Sequence, residues 1–449
     1  MQYFIETYGC QMNKAESAAL EIIFRERGWA LSSSPEEADL VLINTCSVRA
    51  TAETRAWGRI DHFAAEKKLR AREGRAPLAL VVTGCMAERL KREMKTRQPA
   101  VDYVVGTFQK QAFGLVLDAV AAGKKLGDIE ESPAFVFAHS YYEPGSFRSF
   151  LPIMHGCNNF CTYCIVPYIR GREISRGPAE ILAELDSLED SGVREVTLLG
   201  QNVNSYRFEA EGRVTDFPAL LRLIAIHIRE RGAGGIRWLR FLSSHPKDLS
   251  DEAIEVLANE PLYCRHLHLC VQSGSDRILS AMNRRYGRDY YLGLVDRLKS
   301  RVPGLSLSTD ILIGFPGETE ENLEETLDLM RRVEFSYAYM YHYNPREGTV
   351  AASMPGRIPE ELKLERLSRV IELQKEITGR LMAARVGAVD EILVEDVSRK
   401  EKSELLGRTQ RDEMVVFPAA ASRIGGFARV RLLSLSGNTF RAAEIDAAE

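Results

Sequence analysis

The sequence lacks the features that mark membrane-spanning and secreted proteins. None of its apolar runs approaches the roughly 18 residues needed to cross a bilayer, and residues 1–6 show neither the basic nor the apolar segment of a signal peptide. With 45% hydrophobic and 27% charged residues, the composition also excludes disordered, collagen-like and coiled-coil classes. We therefore predict a cytoplasmic globular protein of about three domains, at roughly 150 residues per domain.

An excess of charge of one sign is also absent. The chain has 59 Lys and Arg against 63 Asp and Glu, which excludes a general attraction to nucleic acids or anionic membranes. Residues 55–97 differ, because they carry 12 basic and 5 acidic side chains. This stretch could contact phosphate groups; the alternative is a solvated face of helices rich in arginine and lysine.

Cysteine is scarce, and its placement is more informative than its number. Eight cysteines in 449 residues exclude a disulfide scaffold and indicate a reducing compartment. Cys264 and Cys270 have no third thiol nearby, so we expect both to be buried apolar thiols. The other six form two groups of three: Cys10, Cys46 and Cys85, and Cys157, Cys161 and Cys164.

Residues 1–122 alternate short apolar runs with helical patterns. This alternation predicts a doubly wound α/β domain in which parallel strands are buried on both faces. Each of three apolar runs ends in one cysteine of the first group. Because the carboxyl ends of parallel strands meet at one edge of a sheet, we expect these cysteines to converge. The predicted strands are 3–7, 40–44 and 78–83, and the predicted helices are near 14–28 and 51–71.

Residues 145–383 follow a loop at 123–148 and show six βα repeats. Repeats with one hand of crossover predict a partial (β/α)6 barrel, whose functional face lies at the carboxyl ends of the strands. The predicted strands are 151–155, 195–199, 237–242, 266–271, 306–314 and 337–343. The predicted helices are near 178–191, 217–231, 250–259, 288–300 and 319–333.

Residues 384–449 follow a long helical pattern at 359–384 and change to short, turn-bounded β segments. Five such segments predict a small antiparallel β-barrel, a fold that often binds RNA. The predicted strands are 391–395, 404–408, 414–417, 427–433 and 439–443. The fold class is therefore α/β with a terminal β-barrel.

The second group of cysteines places three thiolates on one loop after a predicted strand. Structural zinc sites and ferredoxin-type clusters take four protein ligands, and no fourth cysteine follows nearby. Three thiolates leave one iron of a [4Fe–4S] cluster without a protein ligand. This open position indicates a catalytic rather than a structural cluster. The alternative is zinc with His155 as the fourth ligand, in a non-catalytic RNA-binding protein.

The loop at 157–164, with sequence CNNFCTYC, resembles the signature of the radical S-adenosylmethionine (SAM) enzymes. Further motifs are similar to the methylthiotransferases over essentially the whole chain, and the last domain resembles the TRAM domain. Within that family, residues 8–13 and 44–49 most resemble the branch that acts on isopentenyladenosine in tRNA. The other similar motifs are 83–87, 164–173, 199–206, 272–275 and 314–319.

The resemblance implies an activity. Both cysteine groups would hold [4Fe–4S] clusters, and the second would cleave S-adenosylmethionine to a 5′-deoxyadenosyl radical. One SAM would methylate a sulfur carried on the auxiliary cluster of the first group. The radical from a second SAM would then convert C2–H of N6-isopentenyladenosine next to the anticodon into C2–SCH3. The alternatives within the family are threonylcarbamoyl-adenosine of tRNA and an aspartate of a ribosomal protein.

The resemblance also implies partners. These are the tRNA anticodon stem-loop, an electron donor such as flavodoxin or ferredoxin, and a sulfur donor. No membrane is expected, and the protein is expected to be a monomer.

Polar residues at the ends of the predicted barrel strands are candidates for contacts with SAM. The resemblance places the Tyr163 ring against adenine, and one departure from the branch is Cys270, where proline is expected. The full set of SAM candidates is Tyr163, Gln201, Asn202, Ser243, Gln272 and Glu318. The candidates for guiding an extruded adenosine are Arg170, Arg172 and Arg176.

Overall fold

The chain divides into two units in the computed structural model, which describes residues 1–47, 50–127, 129, 135–137, 145–232 and 234–445. The first unit comprises residues 1–142, 150–158 and 164–176, and the second comprises 143–149, 159–163 and 177–449. Among the described residues, no helix is both long and apolar enough to span a membrane. The loop predicted at 123–148 lies partly outside the described residues.

The first unit contains the predicted doubly wound α/β domain. Five parallel strands are ordered β2-β1-β3-β4-β5. The strands are β1 (Gln2–Tyr8), β2 (Ala30–Leu31), β3 (Leu40–Thr45), β4 (Ala79–Gly84) and β5 (Tyr103–Val105). The helices are α1 (Gln11–Glu26), α2 (Ala50–Glu73), α3 (Cys85–Arg97) and α4 (Phe113–Ala121).

The central strand β3 shows why this sheet is covered on both faces. All six of its residues are buried, and successive side chains of a strand point to opposite faces. Val41 and Ile43 belong to one apolar cluster with residues of α2 and α3. Leu40 and Leu42 belong to another with residues of α1 and α4. Two cores therefore fix the sheet, and with it the edge where the first group of cysteines lies.

A connecting segment of short elements follows the α/β domain. Its elements are β6 (Arg148–Pro152), β7 (Met154–His155), α5 (Val166–Ile169) and β8 (Ile174–Ser175). The strand predicted at 151–155 is interrupted at Ile153, whose carbonyl accepts a hydrogen bond from the Arg176 backbone amide at 2.9 Å. Strand β7 then pairs with β8 in antiparallel orientation. The single predicted strand is therefore wrong, because a distant segment takes over its hydrogen bonds.

The second unit contains the other strands of the predicted partial barrel. Parallel pairing joins β9 with β12, β13 with β14, and β14 with β15. These strands are β9 (Glu195–Leu199), β12 (Trp238–Phe241), β13 (His266–His268), β14 (Ser306–Ile313) and β15 (Tyr337–His342), and the hairpin β10 (Arg207–Ala210) and β11 (Arg213–Asp216) was not predicted. The helices are α6 (Pro178–Asp190), α7 (Phe217–Arg231), α8 (Asp251–Asn259), α9 (Asp276–Ala281), α10 (Arg288–Arg301) and α11 (Glu320–Val333).

The C-terminal part is a closed five-stranded barrel that follows α12 (Glu360–Ala383). Four of its strand pairs are antiparallel, as predicted, but β18 and β20 pair in parallel and close the barrel. The strands are β16 (Val389–Val397), β17 (Glu404–Thr409), β18 (Met414–Pro418), β19 (Phe427–Ser436) and β20 (Thr439–Glu444).

The terminal barrel is anchored within the second unit by a buried arginine of β12. Arg240, 4% exposed, donates hydrogen bonds to the carbonyls of Thr409 and Gln410, both at 2.8 Å. The same guanidinium lies 3.1 Å from the buried carboxylate of Glu195. Removing the barrel would therefore leave Arg240 without two of its acceptors and disturb the core as well as any RNA contact.

Candidate cluster and cofactor sites

The first group of cysteines converges at the carboxyl edge of the N-terminal sheet. Strand register places Tyr8 beside Thr45, and Thr45 beside Gly84. Cys46 and Cys85 follow these strand ends directly, and Cys10 lies two residues beyond Tyr8. The charges of Cys46 and Cys10 contribute to raising the pKa of the Cys85 thiol, so the three groups are close enough to interact. The predicted convergence is confirmed; the ligand role of the three thiols stays a prediction.

Two asparagines hold the first turn of α1 against the end of β3. Asn13 Nδ2 donates to Asn44 Oδ1 at 3.0 Å and to the Thr45 carbonyl at 3.2 Å. Asn44 Nδ2 donates to Ser17 Oγ at 3.0 Å, and the Cys10 amide donates to Asn13 Oδ1 at 3.1 Å. These contacts explain the asparagines in the motifs 8–13 and 44–49. Val48 and Arg49 of the second motif lie outside the described residues.

Local backbone geometry also favours thiolates at this edge. Cys10 is the N-cap of α1 and Cys85 is the first residue of α3, and a helix N-terminus stabilises a thiolate. Gly84, with φ of 92°, precedes Cys85, and a Cβ there would lie 2.4 Å from the Thr45 carbonyl oxygen. Only glycine therefore lets the chain turn from β4 into α3 so close to β3.

A buried ion network lies against Cys85. Arg170, 3% exposed, donates from Nε to Cys85 Sγ at 3.3 Å and from Nη1 to Glu16 Oε1 at 2.8 Å. Lys110 Nζ lies 2.6 Å from the same carboxylate oxygen. Burial favours the neutral acid, but Arg170 and Lys110 together lower the pKa of Glu16 to about 2. Glu16 is thus a carboxylate that fixes the guanidinium against the sulfur.

The environment of Cys85 fits a metal ligand better than a free thiol. Burial raises the pKa of the Cys85 thiol to about 12, although the Arg170 charge opposes this. A free thiol would therefore stay protonated, whereas a thiol that coordinates a metal loses its proton outright. Because three thiolates are the donors of iron–sulfur clusters, and Arg170 donates a hydrogen bond to one of them, the residues present fit an auxiliary cluster.

The second group of cysteines is divided between the two units. Cys157 and Cys164 belong to the first, where the Cys157 amide donates to the Gly171 carbonyl at 3.1 Å. Cys161 belongs to the second, where Arg284 Nη1 donates to its Sγ at 3.4 Å. The donors of this loop are sulfur atoms, which suits iron–sulfur ligation.

His155, the fourth ligand of the zinc alternative, is buried and packed against other side chains. Its Nδ1 lies 3.5 Å from Arg170 Nη1, and its ring stacks on Phe135 with centroids 3.6 Å apart. Burial, with Arg170 nearby, holds the pKa of His155 well below its usual value. The ring is therefore neutral, which is the form of imidazole that binds metals, and its Nε2 atom is buried without a hydrogen-bond partner among the described residues. The zinc alternative stays an untested prediction.

Four of the six SAM candidates have polar groups or backbone geometry suited to a binding site. The Gln201 Oε1 atom is buried and has no hydrogen-bond partner among the described residues. Ser243 and Gln272 have positive φ values of 67° and 71°, and strained backbone of this kind clusters at functional sites. Tyr163 Oη accepts a hydrogen bond from Arg284 at 3.5 Å.

The other two SAM candidates already have protein partners. Asn202 Nδ2 donates to Asp248 at 2.7 Å, and its Oδ1 accepts from the His245 amide at 3.3 Å. Glu318 Oε1 accepts from the Gly314 amide at 3.0 Å and from Arg366 at 3.1 Å. These contacts give Asn202 and Glu318 a structural explanation that needs no cofactor.

Replacement of Gln201 by alanine is expected to weaken SAM binding roughly tenfold, because the orphaned oxygen is available to a ligand donor. The iron content should not change. Equilibrium binding of SAM to the reconstituted protein measures the effect, and Asn204→Ala, on the same strand-end loop, is the control. An affinity equal to that of the unaltered protein would exclude Gln201 from the site.

The three arginines beyond the second group of cysteines have different environments. Arg172 is exposed, whereas Arg170 belongs to the ion network at Cys85. Arg176 is 2% exposed and donates to the Pro152 carbonyl at 3.5 Å. Arg172 is therefore the exposed member of this set, and the guiding role of the three arginines stays a prediction.

Six of the twelve basic side chains in the stretch 55–97 form ion pairs with acidic side chains. Arg70, 4% exposed, donates to the carbonyls of Ala38 and Glu36, so part of this positive charge lies inside the unit. This arrangement favours the structural alternative for the stretch. Ion pairs within it and with neighbouring segments involve Arg59, Lys67, Arg70, Arg75, Arg89 and Lys91.

The two remaining cysteines differ from each other. Cys264, 2% exposed, packs with Trp238 and Leu393 and is the buried thiol that was predicted. Cys270 instead lies near His268 and Asp310, so the prediction of an apolar thiol is wrong for this residue. The cause is Asp310 on β14, a residue that the sequence near Cys270 does not reveal.

Arg284 and Glu16 were not identified as functional residues from the sequence. Arg284 contacts Cys161 Sγ and Tyr163 Oη, and Glu16 orients Arg170. The only local signal for Arg284 is its place between two residues that need a left-handed backbone, Asn283 and Arg285, both with φ of 58°.

Family models match three parts of the chain. The radical SAM superfamily matches residues 151–330, and the TRAM domain matches residues 383–442. An uncharacterized protein family, UPF0004, matches residues 2–106. These ranges agree with the three predicted kinds of domain, while the predicted boundaries at 1–122, 145–383 and 384–449 stay predictions.

Two solved structures share the fold. A radical S-adenosylmethionine methyltransferase, TsrM from Kitasatospora setae, has a TM-score of 0.56 and 15% identity, covering 78% of this chain and 77% of that chain. The cobalamin-dependent radical enzyme OxsB has a TM-score of 0.52 and 12% identity, covering 84% of this chain and 56% of that chain. At these identities the likeness concerns the fold alone.

Curated relatives match the chain over nearly its full length. A protein from Treponema denticola is 52% identical and one from Treponema pallidum (strain Nichols) is 49% identical, each covering 98% of this chain, and 99% and 98% of the relative. A protein from Phocaeicola vulgatus is 43% identical, covering 98% of this chain and 95% of the relative. All three are named tRNA-2-methylthio-N(6)-dimethylallyladenosine synthase. The chain therefore belongs to this family of radical SAM methylthiotransferases.

Proposed function

We propose that this protein converts N6-isopentenyl(dimethylallyl)adenosine of tRNA into its 2-methylthio derivative by radical SAM chemistry. The observation that carries the proposal is the convergence of Cys10, Cys46 and Cys85 at one sheet edge. A radical SAM loop alone serves many reactions, whereas a second triad of thiols provides a place for the sulfur that this product needs. The identity of the substrate in this proposal comes from the names of the curated relatives.

Two [4Fe–4S] clusters and SAM are the cofactors of this proposal. Each of the two groups of three cysteines would hold one cluster. The cluster that the second group would hold, together with SAM, would supply a radical able to break a C–H bond that acids and bases cannot break. The protein's own residues position sulfur, SAM and RNA.

On the auxiliary side, Arg170 is the positioning residue for Cys85. Its guanidinium balances the charge of a thiolate, and Glu16 and Lys110 hold it in place within a dry interior. A charge-assisted hydrogen bond in such a place is stronger than one at the surface. Arg170 therefore keeps Cys85 oriented while sulfur chemistry proceeds next to it.

Replacement of Arg170 by methionine is expected to destabilise the first unit by about 3 kcal/mol, because it removes a partner from the buried Glu16 carboxylate. Auxiliary iron should also be lost more readily. Urea denaturation and iron analysis measure the two effects. Arg172→Met is the matched control: it should leave stability and iron unchanged and weaken tRNA binding. If both variants unfolded at the same urea concentration, the result would contradict the proposed contribution of the buried ion network to stability.

For RNA binding, we propose the terminal barrel together with the exposed Arg172. The family match to a TRAM domain supports this role for the barrel. Arg399 and Lys400 are exposed at the turn between β16 and β17 and are suited to phosphate contacts. Because Arg240 ties the barrel to the core, surface substitutions test this role more cleanly than truncation after Ala384.

Neutralising that turn with Arg399→Gln and Lys400→Gln is expected to lower tRNA affinity and to reduce the slope of log affinity against log salt by about 1 per lost phosphate contact. Filter binding at several salt concentrations measures both. The control is Arg331→Gln with Arg332→Gln, two exposed arginines at the end of α11. An unchanged slope in the turn variant would place RNA recognition elsewhere.

The remaining parts of the proposal concern partners. An electron donor such as flavodoxin or ferredoxin would reduce the cluster at the second group, and a sulfur donor would renew the auxiliary site. We further propose a monomeric, cytoplasmic protein that acts on the anticodon stem-loop.

Mass spectrometry of tRNA nucleosides from a deletion strain tests the substrate. The methylthio-isopentenyl nucleoside should disappear and its isopentenyl precursor should accumulate. The alternatives are threonylcarbamoyl-adenosine and a ribosomal-protein aspartate. Persistence of the methylthio-isopentenyl nucleoside, with loss of methylthio groups from either alternative, would reassign the protein.

A further inference from the structure

His268, Cys270 and Asp310 form a compact group of side chains in the second unit, apart from the six cysteines assigned to clusters. Their ligand atoms all lie within 4.8 Å of one another, and His268 Nε2 is 3.5 Å from Asp310 Oδ2. His268 ends β13, and its register partner on β14 is Ser308, two residues before Asp310. Because alternate residues of a strand share a face, the pairing of β13 with β14 brings the group together.

The His268 ring is oriented by a contact at its other nitrogen. His268 Nδ1 lies 2.9 Å from Ser308 Oγ, which leaves Nε2 on the side of Asp310. The Ser308 hydroxyl also lies 2.9 Å from His266 Nε2, so a second imidazole fixes the hydroxyl. A hydrogen bond to the non-ligating nitrogen is the usual support of a metal-binding histidine.

We infer that His268, Cys270 and Asp310 bind one divalent, thiophilic metal ion, for which Zn²⁺ is the best match. Imidazole nitrogen, thiolate sulfur and carboxylate oxygen are the three donor types that zinc accepts. Three protein ligands leave one tetrahedral position open to water or to a small ligand. Cys270 is essential to the proposed site, because without it only two protein ligands, His268 and Asp310, would remain.

The charges around the site are compatible with a divalent cation. Burial lowers the pKa of the His268 ring, but Cys270 and Asp310 raise it well above its usual value, so the ring gives up a proton when a metal binds. A Cys270 thiolate and the Asp310 carboxylate then balance two positive charges. The nearby cation, Arg284, donates to the Cys270 carbonyl at 2.6 Å and to Cys161 Sγ. Its guanidinium is therefore held by the Cys270 carbonyl and the Cys161 sulfur. Zinc binding releases two protons to solvent, one from the Cys270 thiol and one from the His268 ring.

Zinc retention by the anaerobically reconstituted protein, with both clusters in place, tests the inference. After dialysis against Zn²⁺ and removal of the excess, the protein should keep about one zinc per chain. Cys270→Ala and Asp310→Asn should lower retained zinc by more than roughly tenfold, with iron unchanged. Cys264→Ala is the matched control, because this buried thiol lies outside the group, and it should keep the zinc.

A second readout needs no variant. Zinc should protect Cys270 of the unaltered protein from alkylation by iodoacetamide, as measured by mass spectrometry of the peptide that contains it. Retention of zinc by Cys270→Ala at the level of the unaltered protein would overturn the inference. Equal alkylation of Cys270 with and without zinc would overturn it as well. Neither result depends on methylthiolation, so the proposed function is tested separately.

Discussion

Simultaneous replacement of Cys10, Cys46 and Cys85 by alanine is expected to abolish methylthiolation while cleavage of SAM continues. The three thiols meet at the ends of β1, β3 and β4, so their loss removes one complete ligand set and leaves the other untouched. Iron should fall from roughly eight to roughly four per chain. Iron content, 5′-deoxyadenosine and modified nucleoside should all be measured on the same preparation. Together they distinguish loss of the auxiliary cluster from loss of the radical cluster.

Two controls make this result specific. Cys264→Ala removes a buried thiol outside both groups and should keep both clusters and both activities. Arg170→Met should reproduce part of the iron loss, because it disturbs the environment of Cys85. A triple alanine variant that formed methylthiolated product at the normal rate would contradict the auxiliary-cluster role.

Replacement of Cys157, Cys161 and Cys164 by alanine is expected to have the reciprocal effect. Cleavage of SAM and product formation should both disappear, since the other group of three thiols would already hold the auxiliary cluster. Roughly four irons should remain, on the auxiliary side. Continued formation of 5′-deoxyadenosine by this variant would contradict the assignment of the loop.

The strand-end cysteines could be predicted because strong local signals fix their positions. The apolar runs before Cys46 and Cys85 are short and continuous, as buried parallel strands are, and all three thiols follow such runs. The carboxyl ends of parallel strands share an edge whatever the details of the helices. The same reasoning located five of the six predicted strands of the partial barrel to within a few residues.

Features that depend on distant partners could not be predicted. Arg170 stands in a motif beside the radical loop, yet its partner Glu16 is 154 positions away. The strand expected at 151–155 is interrupted because Arg176 bonds to Ile153. Cys270 matches an apolar thiol in sequence, and only the pairing of β13 with β14 places Asp310 beside it. Composition and periodicity carry no information about such contacts.

Anaerobic reaction of the reconstituted protein with tRNA that carries N6-isopentenyladenosine, in the presence of SAM and a reductant, tests the central claim most directly. Mass spectrometry of the digested nucleosides should show the 2-methylthio derivative, and methyl-labelled SAM should transfer its label to that product. Cleavage of SAM without any methylthiolated nucleoside, although both clusters were complete, would contradict the account.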